Sequence, residues 1–511
     1  RSMGNRDEEL LFGLLTDFVD APQRSMPDDG LLLARAVAGV QALNARRAAG
    51  HAARFFLFGR DRVRNDQDGF WMGWERKRGK LIALCRFLRG HPPDDFHLHV
   101  GDEAALRSIA FVITLDADTE LPPDCARRLV ATMAHPLNRP VRDARQHRIV
   151  AGYGVLQPRV SVGASPHGAS RLARLFSEEI VLDPYTGIVS NSEQDLYGES
   201  SYIGKGIFDV DAFMWAAGAR FPEQRVLSHD LLEGGFARTG FASDIELYER
   251  YPDSYRTDMS RRHRWTRGDW QLLPFLLQPR RWPLGAVNRW KVLDNLRRSL
   301  VPPAALAGLC LTLAGAGLSP WRTLLLVLLA LGAGPLMGAL AGSTPSRRQV
   351  ARRPFCHQVA TDWLRALGAT LWTFALLLHD ALDAADAIVR ALYRIFVSHR
   401  HLLQWTTAEA AQAAAADASA MSLRGTLRRH AREPVAAATL LAALWALDTP
   451  LQGLSLTLCL LWGAAPLWTW WASRPSADLM AWPRAALALP TRAASSVEQR
   501  LLATLARDTW R

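Results

Sequence analysis

Over residues 1 to about 295, short apolar runs alternate with stretches in which apolar residues recur every three or four positions, the rhythm of an α/β domain. The strand candidates are LLFGLLTDF (10–18), RFFLFGR (54–60), IAFVITLDAD (109–118) and RIVAGYGVLQPRV (148–160). Within the third, Phe111 to Leu115 is continuously apolar and rich in β-branched residues, which predicts a parallel strand covered on both faces. After Arg298 the pattern changes. Leu300–Leu318 and Trp321–Ala341 are apolar over about 20 residues each, enough to cross a bilayer, and SPWR between them predicts a hairpin. A second hairpin is predicted over Val435–Leu447 and Leu451–Ala472, its first limb short and either tilted or re-entrant. Between the hairpins, Ala360–Val389 scatters Asp362, Arg365, Asp380, Asp383 and Asp386 among leucines and alanines, which predicts an amphipathic helix at the membrane interface. AEAAQAAAADASA (408–420) reads as a helix-prone linker. The resulting division is an α/β domain over 1–295, a transmembrane hairpin over 296–345, interfacial helices and linker over 346–430, a second hairpin over 431–475 and a cytoplasmic tail over 476–511.

Charge sharpens this picture. The chain of 511 residues carries 61 Lys and Arg against 49 Asp and Glu, a formal charge of +12, and its only lysines are Lys77, Lys80, Lys205 and Lys291. Basic clusters at Arg297–Arg298, Arg347–Arg353 and Arg428–Arg432 flank the apolar segments in a positive-inside arrangement. That places the open ends of both hairpins, and with them the α/β domain, in the cytoplasm. It points to a lipid bilayer as partner and argues against nucleic acid. Cys85, Cys125, Cys310, Cys356 and Cys459 are scattered singly, as in a reducing compartment, and no structural zinc is expected from their spacing. The chain opens at Arg1 and its last residues, LLATLARDTWR, read as part of an amphipathic helix, so it reads as a piece of a longer protein.

Chemistry concentrates at three places. Asp116 and Asp118 stand at the carboxyl end of the apolar strand, where open α/β sheets place ligands; paired carboxylates there suit Mg²⁺ or Mn²⁺ with a diphosphate, or else an ordinary Asp-rich turn. In LSHDLLEGG, Asp230 opens a helical stretch as a functional carboxylate or as a cap. In RRHRWTRGDW, Arg261, Arg262, Arg264 and Arg267 crowd Trp265 and Trp270, forming either a solvated or membrane-facing surface or a diphosphate cradle beside a sugar platform.

The order of these motifs, followed by membrane segments, resembles the processive inverting glycosyltransferases such as cellulose and hyaluronan synthases. Here His229 stands where that family's Glu precedes the base, and Arg261 stands where its Gln does. WMGWERKRGKL, FVITLDADTELP, GYGVLQPRV, GKGIFDVDAF, RFPEQRVLSHDLLEG, DIELYERYPDSY, RRHRWTRGDWQ and IVRALYRIFVSHRHLLQWTTA together resemble the glycosyltransferase family 84 region of cyclic β-1,2-glucan synthases over nearly the whole chain.

That resemblance implies a GT-A type, Rossmann-like mixed sheet, with part of its first strand missing here, followed by α-helical transmembrane hairpins. It implies a multi-pass protein of the bacterial inner membrane. The implied reaction is inverting transfer of glucose from UDP-glucose to a growing β-1,2-glucan chain with Mg²⁺ or Mn²⁺, and a phosphorylase-like domain is expected downstream, outside this chain. Carried over residue by residue, Asp116 and Asp118 hold the metal, Asp230 is the general base, and Arg264, with Arg261 beside it, meets the diphosphate. Trp265 stacks on the acceptor sugar, and Lys80 lies near the nucleotide. Asp17 is the candidate for uracil recognition or a plain strand-end turn residue, and Lys205 and Asp183 line the acceptor side or serve as buried loop partners. Two other readings stand: a synthase of another β-linked polysaccharide, and a catalytically inactive membrane scaffold.

Overall fold

Two sheets with mixed strand directions carry residues 12–249. The computed structural model describes residues 4–5, 7–47, 53–162, 170–177, 192–249, 251–252, 254–344, 352–405, 422–448 and 451–474. In the first sheet, β1 (Phe12–Asp17) crosses through the helix α1 (Asp29–Arg47) to lie parallel to β2 (Phe55–Arg60). A small hairpin, β3 (Val63–Asn65) and β4 (Phe70–Met72), and the helix α2 (Arg76–Leu88) lead to β5 (Phe96–Val100), antiparallel to β2. α2 forms because Leu81, Leu84, Cys85 and Leu88 repeat at helical spacing and are buried. Phe58 stacks on Phe96 at 5.5 Å and meets Phe87 edge-on at 5.7 Å. Each such fully buried ring contributes ~1.5–3 kcal/mol.

The second sheet has the order β11-β9-β10-β6. β6 (Phe111–Thr114) leads through α3 (Cys125–Ala134) to the hairpin β7 (Val141–Asp143) and β8 (Arg148–Ala151), then to β9 (Val155–Val162). After α4 (Arg171–Ser177) and α5 (Ser192–Tyr197) come β10 (Gly206–Asp209), α6 (Val210–Ala217), α7 (Asp230–Ala237) and β11 (Thr239–Glu249).

The four predicted strands are present, with two corrections. β6 is covered on both faces as expected, Val112 packing on one core and Phe111 and Ile113 on the other. However, it pairs antiparallel with β10 and is an edge strand among the described residues, because β10 returns directly beside it. Residues 148–160 form two strands, not one. Gly152 turns the chain at φ +61, where a Cβ would stand 1.8 Å from the Arg139 carbonyl oxygen. β3, β4, β5, β7, β10 and β11 lie outside the four strand candidates.

The remaining elements are helices. α8 (Tyr255–Trp270), capped by Ser254 Oγ accepting from the Thr257 N–H, carries the arginine-tryptophan motif. α9 (Leu273–Leu277) and α10 (Ala286–Leu313) follow, and α10 runs unbroken across the expected boundary at 295. The first expected span is cut short: the helix stops at Leu313, and Gly315 and Gly317 take positive φ before α11 (Pro320–Gly342). Ala360–Val389 is likewise two helices, α12 (Arg352–Ala375) and α13 (Leu377–Tyr393), broken at Leu376. The acidic face of α13, expected at a membrane interface, lies on α8 and its neighbours: Tyr255 Oη donates to Asp380 at 3.3 Å, His263 Nε2 meets Asp386 at 2.9 Å and Arg432 meets Asp383 at 3.4 Å. A basic helix draws an acidic one.

The region of the second hairpin contains Arg432–Ala446 and the pair Gln452–Gly463 and Ala465–Ala472, bent by 42°. Among the described residues, Pro320–Gly342 is the one helix long and apolar enough by itself to cross a membrane, and the bent pair passes if taken as one span. The 408–420 linker and the 476–511 tail lie outside the described residues.

Candidate active site

The carboxyl ends of β6 and β11 meet. After Thr114 the chain turns at Asp116, whose carbonyl accepts from Thr119 N–H, and Glu120 then bridges Tyr248 of β11 through backbone bonds of 2.7 and 3.2 Å. This brings Glu249, the last residue of β11, to the two aspartates. Ligand oxygens of Asp116, Asp118 and Glu249 all lie within 4.8 Å of one another. Lys77 Nζ donates to Asp116 at 2.6 Å and to the Gly204 carbonyl at 2.8 Å. Lys205 Nζ lies 2.6 Å from Glu249 and 3.5 Å from Asp116, while Thr119 Oγ1 donates to Glu249 at 2.8 Å.

The three carboxylates differ electrostatically. Burial works to raise the pKa of Asp116, but Lys77 and Lys205 outweigh it and hold the group below the usual carboxylate range. Asp118, the most exposed of the three, is compensated least: partial desolvation and the neighbouring Glu249 charge push its pKa up, and Lys205 only partly offsets them. Desolvation alone would lower the pKa of the partly buried Lys205, yet Glu249 and Asp116 raise it. An all-oxygen donor set from two strand ends, with one carboxylate short of compensating charge, fits a hard divalent cation of the Mg²⁺ or Mn²⁺ kind.

Asp230 is the first residue of α7. The helix-cap reading fails, because neither Asp230 nor His229 makes a side-chain cap bond, and Asp230 Oδ1 is buried with no hydrogen-bond partner. His229 Nδ1 lies 3.4 Å from it and is held by Glu233 at 2.8 Å. Burial works to lower the pKa of His229; Glu233 and Asp230 together raise it. Gly204, at φ +82, passes so close that a Cβ there would stand 2.7 Å from Asp230 Oδ1. Gly204→Ala therefore collides with this carboxylate and forces a left-handed alanine at about 1–2 kcal/mol. The expected result is a folded protein, by circular dichroism, whose turnover falls at least tenfold; undiminished turnover would show that the Asp230 carboxylate has room to move.

The remaining expected residues separate into groups. Lys80 Nζ meets Asp17 at 3.0 Å, and Arg60 binds the same carboxylate at 2.7 and 3.1 Å. Burial opposes ionisation of Asp17, and Arg60 with Lys80 outweighs it, lowering the pKa. This second cluster lies at the carboxyl end of β1 and is tied to the first by α2, which supplies both Lys77 and Lys80. Burial and the neighbouring Arg261 charge pull the pKa of Arg264 down, with Asp116 and Asp230 offsetting part of it, and its guanidinium stacks on Trp405, 4.4 Å from the ring centre. Trp265 is 43% exposed. Arg261 is turned to Asp258 at 2.9 Å and to the Trp265 ring at 4.8 Å. Lys205, expected on the acceptor side, sits among the carboxylates. Asp183 lies outside the described residues.

Sequence reasoning missed Glu249, Lys77, Glu233 and Trp405. The signal for Glu249 was available, since DIELYE ends an alternating run in a carboxylate much as VITLDAD does. Lys77 stands three residues before Lys80, on the same helical side.

No family model matches the chain. It is 39% identical over 476 residues to the cyclic beta-(1,2)-glucan synthase NdvB of Rhizobium meliloti (strain 1021), an alignment covering 92% of this chain. The chain spans 16% of the length of that relative. The resemblance read from the motifs thus extends over nearly all of these residues.

Proposed function

We propose that this chain, a relative of the cyclic β-(1,2)-glucan synthases, is the GT-A type core of a membrane-bound inverting glucosyltransferase that lengthens β-1,2-glucan from UDP-glucose. The observation that carries this reading is the buried Oδ1 of Asp230, which makes no hydrogen bond and packs beside Gly204, whose carbonyl accepts from the same Lys77 that holds Asp116. A general base must keep a lone pair unspent until the acceptor hydroxyl arrives. A helix cap would have spent it on a backbone N–H.

In this reading Asp230 takes the proton of the acceptor hydroxyl as its oxygen attacks the anomeric carbon, the bond from that carbon to the diphosphate breaks, and UDP departs. Arg264 offers the departing diphosphate a planar fork of donors, and Lys77 adds positive charge from the β6 side. Trp265, partly exposed on α8, is the platform for the acceptor ring. Asp17 and Lys80 bound the nucleotide end. Asp116, Asp118 and Glu249 would hold Mg²⁺ or Mn²⁺, which when bound supplies Lewis acidity to the leaving group. Membranes given labelled UDP-glucose and Mg²⁺ or Mn²⁺ should yield β-1,2-linked polymer. Another β linkage would favour a different polysaccharide synthase, and a folded protein that binds no UDP-glucose would favour the scaffold.

The bilayer partner is supported by the outer surface of the helices. Leu325, Leu326 and Leu329 of α11 and Leu364 and Leu371 of α12 are all exposed, large apolar side chains of the kind a bilayer covers. With the arginine clusters cytoplasmic, a cysteine placed in SPWR (319–322) should react with an impermeant thiol reagent from outside intact cells. Labelling of the native Cys356 instead would reverse the topology.

A further inference from the structure

A cavity of about 380 Å³ opens between α8, α13 and the first residues of the helix Arg432–Ala446. Six arginines and three histidines line it, against a single lining carboxylate, Asp383. Two arginines are neutralised locally: Arg390 by Asp386 at 2.7 Å, and Arg432 by Glu433 at 2.7 Å and Asp383 at 3.4 Å. Three others meet no carboxylate among the described residues. Arg264 lies on the face of Trp405, Arg267 donates to the Gln404 carbonyl at 3.1 Å, and Arg394 donates to the His401 carbonyl at 2.8 Å and to Gln404 Oε1 at 2.7 Å.

Two lining nitrogens are buried and have no partner at all. Arg267 is 9% exposed with Nε unsatisfied, and His379 is 2% exposed with Nε2 unsatisfied while its Nδ1 is held by Glu433 at 2.7 Å. Buried unpaired donors and converging like charges both cost free energy. The strain shows on Arg267, whose pKa burial and the nearby Arg394, Arg390 and Arg264 pull down to about 10. The cavity face of α8 includes Ser260, His263 and Arg267, roughly half a helical turn from Arg261 and Trp265, with Arg264 at the edge between the two faces.

We propose that this cavity binds a phosphate group, carried by a phospholipid headgroup or by a free phosphate. Guanidinium forks arriving from two helices suit the several acceptor oxygens of phosphate, and a phosphate would compensate Arg264, Arg267 and Arg394 together. The inference shares Arg264 with the transferase reading and is separated from it by Arg267 and Arg394, which that reading does not use and which the test below therefore targets.

Hydrogen exchange on the whole chain in nanodiscs tests it. Inorganic phosphate, compared with chloride at equal ionic strength, or phosphatidylglycerol, compared with phosphatidylcholine, should slow exchange in α8 and in the C-terminal half of α13. Protection by phosphate ion identifies a free phosphate as sufficient; protection by phosphatidylglycerol alone identifies the headgroup. The double variant Arg267→Gln/Arg394→Gln should lose at least tenfold in affinity for the probe that protects. Equal exchange in every condition, or undiminished affinity in the folded double variant, overturns the proposal. Should that variant not fold, the wild-type exchange result decides by itself.

Discussion

Replacing Asp230 by Asn is expected to lower glucosyl transfer by roughly 10²–10⁴-fold while UDP-glucose binding and folding persist. The substitution conserves shape and removes the negative charge together with the capacity to take a proton. Its structural cost is small, because Oδ1 accepts no hydrogen bond that would be lost and Glu233 still holds the neighbouring His229 at 2.8 Å. Were Asp230 a helix cap, Asn would serve about as well and activity would survive. The measurement is single-turnover transfer from labelled UDP-glucose across pH 6 to 9, with binding followed separately. Turnover near the wild-type rate in protein that binds donor normally would remove Asp230 from the base role.

The second large effect concerns Asp118. Although exposed at the surface, its carboxylate is partly desolvated and faces Glu249, which together raise its pKa against the weaker pull of Lys205, so the folded protein slightly disfavours the charge that Asp118 carries at neutral pH. With the folded-state pKa above the unfolded one, an ionised carboxylate subtracts from stability. Asp118→Asn should therefore leave the melting temperature unchanged or slightly higher. The same substitution should weaken metal-dependent UDP binding by more than tenfold, ~1.4 kcal/mol, and abolish transfer. Glu249→Gln separates a ligand's role from a structural one. Glu249 is buried against Lys205 at 2.6 Å, so its neutralisation leaves a buried ammonium poorly compensated and should cost stability as well as metal affinity. UDP titrations with and without Mn²⁺, beside thermal unfolding of both variants, check the pair. Unchanged UDP affinity in Asp118→Asn under both conditions would refute the metal assignment.

The sequence by itself determined what is local. Strands over Phe12–Asp17, Phe55–Arg60 and Phe111–Thr114 were legible because a buried strand needs only a few contiguous apolar residues. Asp116 and Asp118 were legible because an abrupt change from apolar to acidic at a strand end is visible within seven residues. The helical repeats of α8 and α13 were likewise visible, though the break at Leu376 was not: alanines and leucines on both sides of it continue the same pattern.

Tertiary structure alone decided how those pieces combine. Periodicity carries no information about which strand lies next to which, so the antiparallel return of β10 beside β6 had no local sign. Glu249 reaches the aspartates only because β11 is drawn alongside Glu120, and its bond to Thr119 joins residues 130 apart in sequence. The acidic side of α13 had two available neighbours, water at a membrane surface or a basic helix, and the basic α8 supplies the second. At the level of sequence Asp230 was open to a cap reading, and the structure removes that one. α7 begins at Asp230 itself, one residue past the position whose side chain folds over the first-turn N–H groups, and its Oδ1 finds no partner.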